Sequence, residues 1–201
     1  MEQPTPEEVL KFWFGELDAD GRGRPEVAAR WFSKSDAFDA EVRARFGGLH
    51  AELAAGRTEG WLDSPRHRLA YVIVLDQLSR NMFRGTPGMF ATDALALAQS
   101  KEAIALGEDR RLALAERTFL YMPLMHSEVL ADQDRCVELF RAFAEELSGE
   151  LRAAVLNNHS FAVRHRDIVA RFGRFPHRNA TLGRPSTEEE LAFLTQPGSG
   201  F

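Results

Sequence analysis

One predicted helix, which starts near Ser64, is almost entirely apolar but contains five polar side chains. They are Asp76, Gln77, Arg80, Asn81 and Arg84. A helix that is apolar on all sides is a buried helix, and a buried charge is costly unless it is paired or faces a polar cavity. Asp76, Arg80 and Arg84 follow one another at four-residue spacing. Either Asp76 and Arg80 form a structural ion pair, or Arg80 and Arg84 project into an anion-binding pocket in which Asp76 holds them.

A second polar group lies on the predicted helix 150–172 and in the segment that follows it. His165 falls within the apolar stripe of this helix, where a histidine is usually a core residue. The next segment alternates cations with aromatic residues; its cations are Arg171, Arg174, His177 and Arg178. Guanidinium forks bind anions well, so this segment is either an anion clamp or a rigid connection whose arginines cap helix ends.

The third polar group is His126 with Glu128, in an otherwise apolar segment. A histidine beside a carboxylate can act as a general base with its orienting partner. The residues predicted to transfer protons are His126, Glu128, His165 and His177. The residues predicted to bind a ligand are Asp76, Arg80, Asn81, Arg84, Arg171, Arg174 and Arg178.

The polar groups are predicted to lie mainly on helices, because helix-capping sequences and helical periodicity occur along the whole chain. Capping-box sequences open helices at Thr5-Pro6 and near Ser186-Thr187, and Ser64-Pro65 opens another. Pro123 is predicted to kink or end the helix that reaches Tyr121. No alternating apolar pattern with hairpin turns is present, so strands should be few or absent. We predict an all-α domain of seven to nine antiparallel helices over residues 1–201, with tetratricopeptide-like spacing of two helices per about 45 residues.

The composition indicates a globular protein and bears on which kinds of partner it could bind. With 201 residues and 44% hydrophobic residues, the chain is long and apolar enough for one globular core. The net charge of −5 argues against a nucleic-acid partner. Positive charge is nevertheless concentrated between His159 and Arg184, where six arginines face one acidic residue, Asp167. That local excess is compatible with an anionic partner.

Neither a membrane nor a secretory pathway is indicated. No apolar run approaches the roughly 18 residues that a membrane span needs, and the acidic start MEQPTPEEVLKFWF is unlike a signal peptide. The single cysteine, Cys136, fits a reducing compartment and is predicted to be a buried, inert thiol. We therefore predict a cytoplasmic protein. The histidines show no zinc-motif spacing, so no metal or cofactor is predicted. Convergence of His126, Glu128 and His165 in the fold is the arrangement that would provide a metal site.

The polar clusters also carry a resemblance. The segments 76–86 (DQLSRNMFRGT), 119–128 (FLYMPLMHSE) and 165–179 (HRD to RFGRFPHRN) resemble the bacterial domain-of-unknown-function family 924, and residues 9–14 and 189–201 fit its pattern as well. The resemblance covers nearly the whole chain. It implies an all-helical fold similar to tetratricopeptide-like domains, and it implies no established activity.

Three functional interpretations follow. The first is a soluble protein, and possibly an enzyme, with an internal polar pocket for a small anionic molecule. The second is a helical-repeat interaction module that binds a peptide or protein tail. In the third, the polar networks only fix helix register. Complete internal pairing of the charges would favour the third interpretation. The sequence also predicts that Phe201 docks onto the body of the protein, and it leaves the oligomeric state open.

Overall fold

The computed structural model describes residues 3–200, and this part of the chain is all-helical, without a strand. Its nine helices are α1 (Pro6–Phe14), α2 (Pro25–Trp31), α3 (Asp36–Ala54), α4 (65–82), α5 (Asp93–Ala105), α6 (Leu114–His126), α7 (Leu130–Glu145), α8 (Gly149–Phe172) and α9 (Glu188–Leu194). Short 3-10 turns at Pro87–Phe90, Glu108–Arg111 and Pro176–Arg178 lie between them. The predicted fold class and helix number are confirmed. The tetratricopeptide-like arrangement stays a prediction.

Local sequence signals set several helix starts. At α1, the Thr5 hydroxyl accepts a hydrogen bond from Glu8 N–H (3.2 Å), while Thr5 N–H donates to the Glu8 carboxylate (2.8 Å). Thr187 and Glu190 form the same reciprocal pair at α9. At α4, the Ser64 hydroxyl accepts from His67 N–H. Each pairing satisfies backbone donors that would otherwise have no partner within the helix.

The interior of α4 is not a regular α-helix. Its three consecutive parts are Pro65–Val72, a π-helical segment Ile73–Leu78, and Ser79–Met82. A π-helical turn holds more residues than an α-turn, and both Asp76 and Gln77 lie buried in it, at 0% and 6% exposure. A prediction based on the 3.6-residue periodicity of an α-helix does not identify such a turn.

Helix α6 continues through Pro123 and ends at His126. The prediction that Pro123 kinks or ends this helix near Tyr121 is therefore wrong about its end. A proline removes one backbone donor, and three further residues remain helical here. A 3-10 turn occupies Glu108–Arg111, and α6 begins at Leu114.

The described chain forms two compact units, residues 3–84 with 88–123 and residues 85–87 with 124–200. The N-terminal unit has a large apolar core in which aromatic rings meet edge to face, as Trp13 and Phe14 do with Phe119. The prediction of a single domain stays a prediction.

In the C-terminal unit, α7 and α8 form an antiparallel pair, since Asp134 near the start of α7 binds Arg166 near the end of α8. A small apolar cluster around Phe175, with Ile168 and Val169, lies beyond that pair.

Across residues 3–200, no helix combines the length and the apolar character that crossing a membrane requires. The prediction for Phe201 falls outside the described residues.

Candidate functional site

In the N-terminal unit, Arg80 lies within a three-residue ionic network. Its guanidinium forms two hydrogen bonds to the Asp93 carboxylate (2.9 and 3.0 Å) and an ion pair with Asp76 (3.2 Å). Burial alone would lower the pKa of Arg80, but Asp76 and Asp93 raise it above its ordinary value. The ion pair that the structural interpretation predicts is therefore formed, and α5 supplies a second carboxylate.

The buried carboxylate of Asp76 has a further donor. Gln77 Nε2 donates to Asp76 Oδ2 (2.6 Å), and it also lies 3.5 Å from the sulfur of Met122. Because Asp76 is 0% exposed, these contacts replace the hydration that the carboxylate would have in water.

A separate network links α4 to α3. Arg84 donates two hydrogen bonds to Asp39 (2.5 and 2.9 Å), and Asn81 Nδ2 donates a third (2.7 Å). These bonds, those from Arg84 above all, lower the pKa of the Asp39 carboxyl although its burial acts in the opposite direction. The sequence did not identify Asp39 and Asp93 as partners of Arg84 and Arg80. Each aspartate lies on a different helix from its arginine, and helical periodicity relates only residues of the same helix.

Two of the predicted clamp arginines bind carboxylates of α9. Arg174 forms two hydrogen bonds to Glu190 (2.6 and 2.8 Å), and Arg171 pairs with Glu189 (2.8 Å). The hydrogen bonds from Arg174 are the main cause of the lowered pKa of Glu190. These two arginines connect the end of α8 and the segment that follows it to the first turn of α9.

Three cationic or ionisable side chains in the C-terminal unit surround the ring of Phe175, which is fully buried. The ring centroids of His165 and His177 lie 5.7 and 5.6 Å from that of Phe175. The guanidinium carbon of Arg178 lies 4.6 Å from the same centroid, a cation–π contact. Phe175 thus positions two predicted proton-transfer residues and one predicted ligand-binding residue around a single ring.

The tautomer of His165 follows from its hydrogen bond. Its Nδ1 lies 2.8 Å from the carbonyl oxygen of Phe161, and a carbonyl oxygen only accepts. Nδ1 therefore carries the proton in the neutral ring, and Nε2 carries the lone pair.

Buried His165 and half-buried His177 are both neutral at pH 7. Burial, followed by the charges of His126, Arg178 and His177, lowers the pKa of His165 to about 3. Burial and the charge of Arg178 lower the pKa of His177 to about 4, against an opposing effect of Glu128. His126 contributes to both shifts. We call His126, His165, His177 and Arg178 the histidine cluster.

Glu128 has hydrogen-bond partners that the sequence did not predict. Its carboxylate accepts two hydrogen bonds from Arg184 (2.6 and 2.9 Å) and one from Phe175 N–H (2.8 Å). Burial acts to raise the pKa of Glu128, but these bonds lower it below its ordinary value. Both carboxylate oxygens are therefore engaged by donors, one of which, Arg184, was not predicted as a site residue.

The predicted site residues thus fall into separate groups. Asp76 and Arg80 form one network, Asn81 and Arg84 a second, both in the N-terminal unit, while Arg171 and Arg174 bind α9. The histidine cluster is a further group. Among the described residues, no three His, Cys, Asp or Glu side chains are arranged to hold a metal ion.

Comparison with known proteins agrees with this all-helical fold. The model of the family described as "Bacterial protein of unknown function (DUF924)" matches residues 9–198. A solved structure of a protein of unknown function from Agrobacterium tumefaciens is similar, with 37% sequence identity and a TM-score of 0.75 over 94% of this chain and 96% of that one. Comparison with curated proteins gives no significant match. The chain therefore belongs to the DUF924 family of bacterial proteins of unknown function.

Proposed function

We propose that the C-terminal unit binds a small anionic molecule at the histidine cluster. The observation that carries the proposal is that His165, His177 and Arg178 surround one buried ring, within the electrostatic influence of His126. Glu128, a carboxylate that acts on His177, is already bound to Arg184. Because both histidines are neutral at pH 7, the guanidinium of Arg178 supplies positive charge at this position.

The titration of the histidines supports binding of an anion. Their pKa values are lowered partly by neighbouring positive charge, and a negative charge placed nearby acts in the opposite direction. A bound anion would raise both values and be accompanied by proton uptake, so binding strengthens as pH falls from 7 toward 5.

The other predicted binding arginines fit a structural role better. An anion at Arg80 would have to displace Asp93 and compete with Asp76, and one at Arg174 would have to displace Glu190. Removing one partner of a buried ion pair leaves an uncompensated charge. We infer that Arg80, Arg84 and Arg174 fix helix positions, and that the ligand contacts are made by the histidine cluster.

Thermal unfolding with inorganic phosphate tests the proposal. At pH 6.5 and ten times the dissociation constant, phosphate should raise Tm by about 3 °C relative to chloride at equal ionic strength. Arg178→Gln and His177→Gln should abolish the phosphate-induced shift, whatever their Tm in chloride.

The matched control is Arg171→Gln, which alters an exposed arginine of the same segment and should keep the full shift. An absent shift in the unaltered protein, or an equal loss in the control, would contradict binding at the histidine cluster.

A second candidate function is a helical interaction module for an acidic peptide. The exposed face of α8 presents Phe161, 39% exposed, beneath the guanidinium of Arg164 at 5.4 Å. Exposed aromatic and arginine side chains are common in interaction surfaces. Binding of an acidic peptide that Phe161→Ala abolishes, in a protein that does not respond to phosphate, would favour this function.

A further inference from the structure

Residues 196–200 fold back after α9 in an ordered turn. Gln196 N–H donates to the Phe193 carbonyl (3.0 Å), and Ser199 N–H donates to the Gln196 carbonyl (3.3 Å). The Ser199 hydroxyl also donates to the Leu194 carbonyl (3.1 Å), and Ser199 is 9% exposed. Three hydrogen bonds and one buried residue therefore fix the course of this segment.

The turn brings the backbone against α8 at Gly198. Its φ of +77° lies in the left-handed region, which favours glycine. A Cβ atom at this position would lie only 2.5 Å from Nη2 of Arg164. The backbone conformation therefore disfavours a residue with a side chain here, and the guanidinium of Arg164 would also have to shift.

Two residues later, the same segment lies against the histidine cluster. A Cβ atom at Gly200 would lie 3.5 Å from Cβ and 3.8 Å from Cγ of His177, which is ordinary van der Waals contact. Gly200 therefore lies beside the side chain of His177, close enough for one added carbon atom to contact it.

We propose that residues 196–200 form a strap that covers His177 and must move aside before an anion reaches the histidine cluster. The identity of the ligand rests on the proposed function, whereas the covering of His177 does not. Opening exposes little buried surface and breaks few hydrogen bonds, so the strap belongs to the part of the fold that opens most readily. The strap would thereby control the rate of ligand entry.

Carbethoxylation of histidine by diethyl pyrocarbonate, followed by peptide mass analysis, measures the covering directly. A chain that ends after Pro197 should react at His177 about fivefold faster than the full chain, because local opening no longer limits access. His159, on α8, serves as the internal reference within each sample. Circular dichroism establishes that the shortened chain is folded.

Two point variants keep the test independent of the truncation. Gly198→Ala should accelerate the reaction of His177, since alanine is strained at a φ of +77°. Gly200→Ala is the matched control and should leave the rate unchanged, because its Cβ makes only ordinary contacts.

The outcomes separate the strap from the proposed function. Faster reaction of His177 in the shortened chain and in Gly198→Ala, together with phosphate association that is also faster, supports both. Faster reaction without any effect of phosphate supports the strap and contradicts anion binding. An unchanged rate of His177 in both variants overturns the strap, whatever phosphate does.

Discussion

The Arg80 network and the histidine cluster differ in how they accommodate groups that can carry a positive charge. Both place such groups inside a helical unit, where an unpaired charge is costly. Arg80 is flanked by the carboxylates of Asp76 and Asp93, and its pKa is raised. For His165 and His177, burial is the main cause of a lowered pKa, and the neighbouring Arg178 lowers it further.

The difference teaches which buried cations are structural. A guanidinium that already binds two carboxylates has little to gain from an added anion, and removing a carboxylate should cost stability. Neutral histidines beside Arg178 cost stability when they are protonated, and an added anion relieves that cost. The two regions therefore differ in the charged groups that surround their ionisable side chains. In the sequence, the residue types of both regions were equally compatible with an anion-binding site.

Of the changes considered, removal of the Asp76 carboxylate should lower the free energy of unfolding most. Asp76→Ala takes away a fully buried carboxylate that binds both Arg80 and Gln77, and should lower the free energy of unfolding by about 3 kcal/mol. Urea denaturation measures the change. Asp134→Ala removes an exposed partner of Arg166 and should leave the stability nearly unchanged.

If Asp76→Ala and Asp134→Ala had equally small effects, the Arg80 network would not be structural and the comparison would fail. Asp76→Asn keeps the side-chain volume, so it separates loss of charge from the cavity that alanine leaves.

Acidification should destabilise the protein through the histidine cluster. The pKa of His165 is about 3 in the folded protein and about 6.5 when the chain is unfolded, so the unfolded state binds more protons between these values. Stability is therefore present above pH 6.5 and falls as pH decreases. Between pH 6.5 and 5.5, His165 should account for a loss of about 1 kcal/mol, measurable by denaturation in chloride.

His165→Gln should reduce that pH dependence. A slope identical to that of the unaltered protein would show that His165 is protonated in the folded state at pH 5.5, and the contrast with Arg80 would disappear.

Replacing Arg84 should have the smallest effect. Arg84→Lys keeps the charge but cannot reproduce the two-point hydrogen bonding to Asp39, and should lower the free energy of unfolding by about 0.5 kcal/mol. Arg57→Lys, at the exposed pair with Glu52, is the matched control and should show no change. A larger loss in the control than in Arg84→Lys would contradict a specific role for the fork of Arg84.

Local features were predicted well because they depend on neighbouring residues. The capping boxes at Thr5 and Thr187 need only side chains three residues apart, and the absence of strands in residues 3–200 follows from the lack of alternating patterns. The π-helical turn of α4 and the continuation of α6 past Pro123 were not predicted, since both depend on how the helix packs.

The sequence by itself determined the helical class, the positions of several helix starts, and which polar residues lie on apolar faces. Tertiary structure alone decided which partner each of those residues has. Asp39 and Asp93 come from helices whose approach to α4 is set by packing of apolar faces, and that packing has no signature in the local pattern. The same applies to Phe175, whose burial brings His165, His177 and Arg178 around one ring.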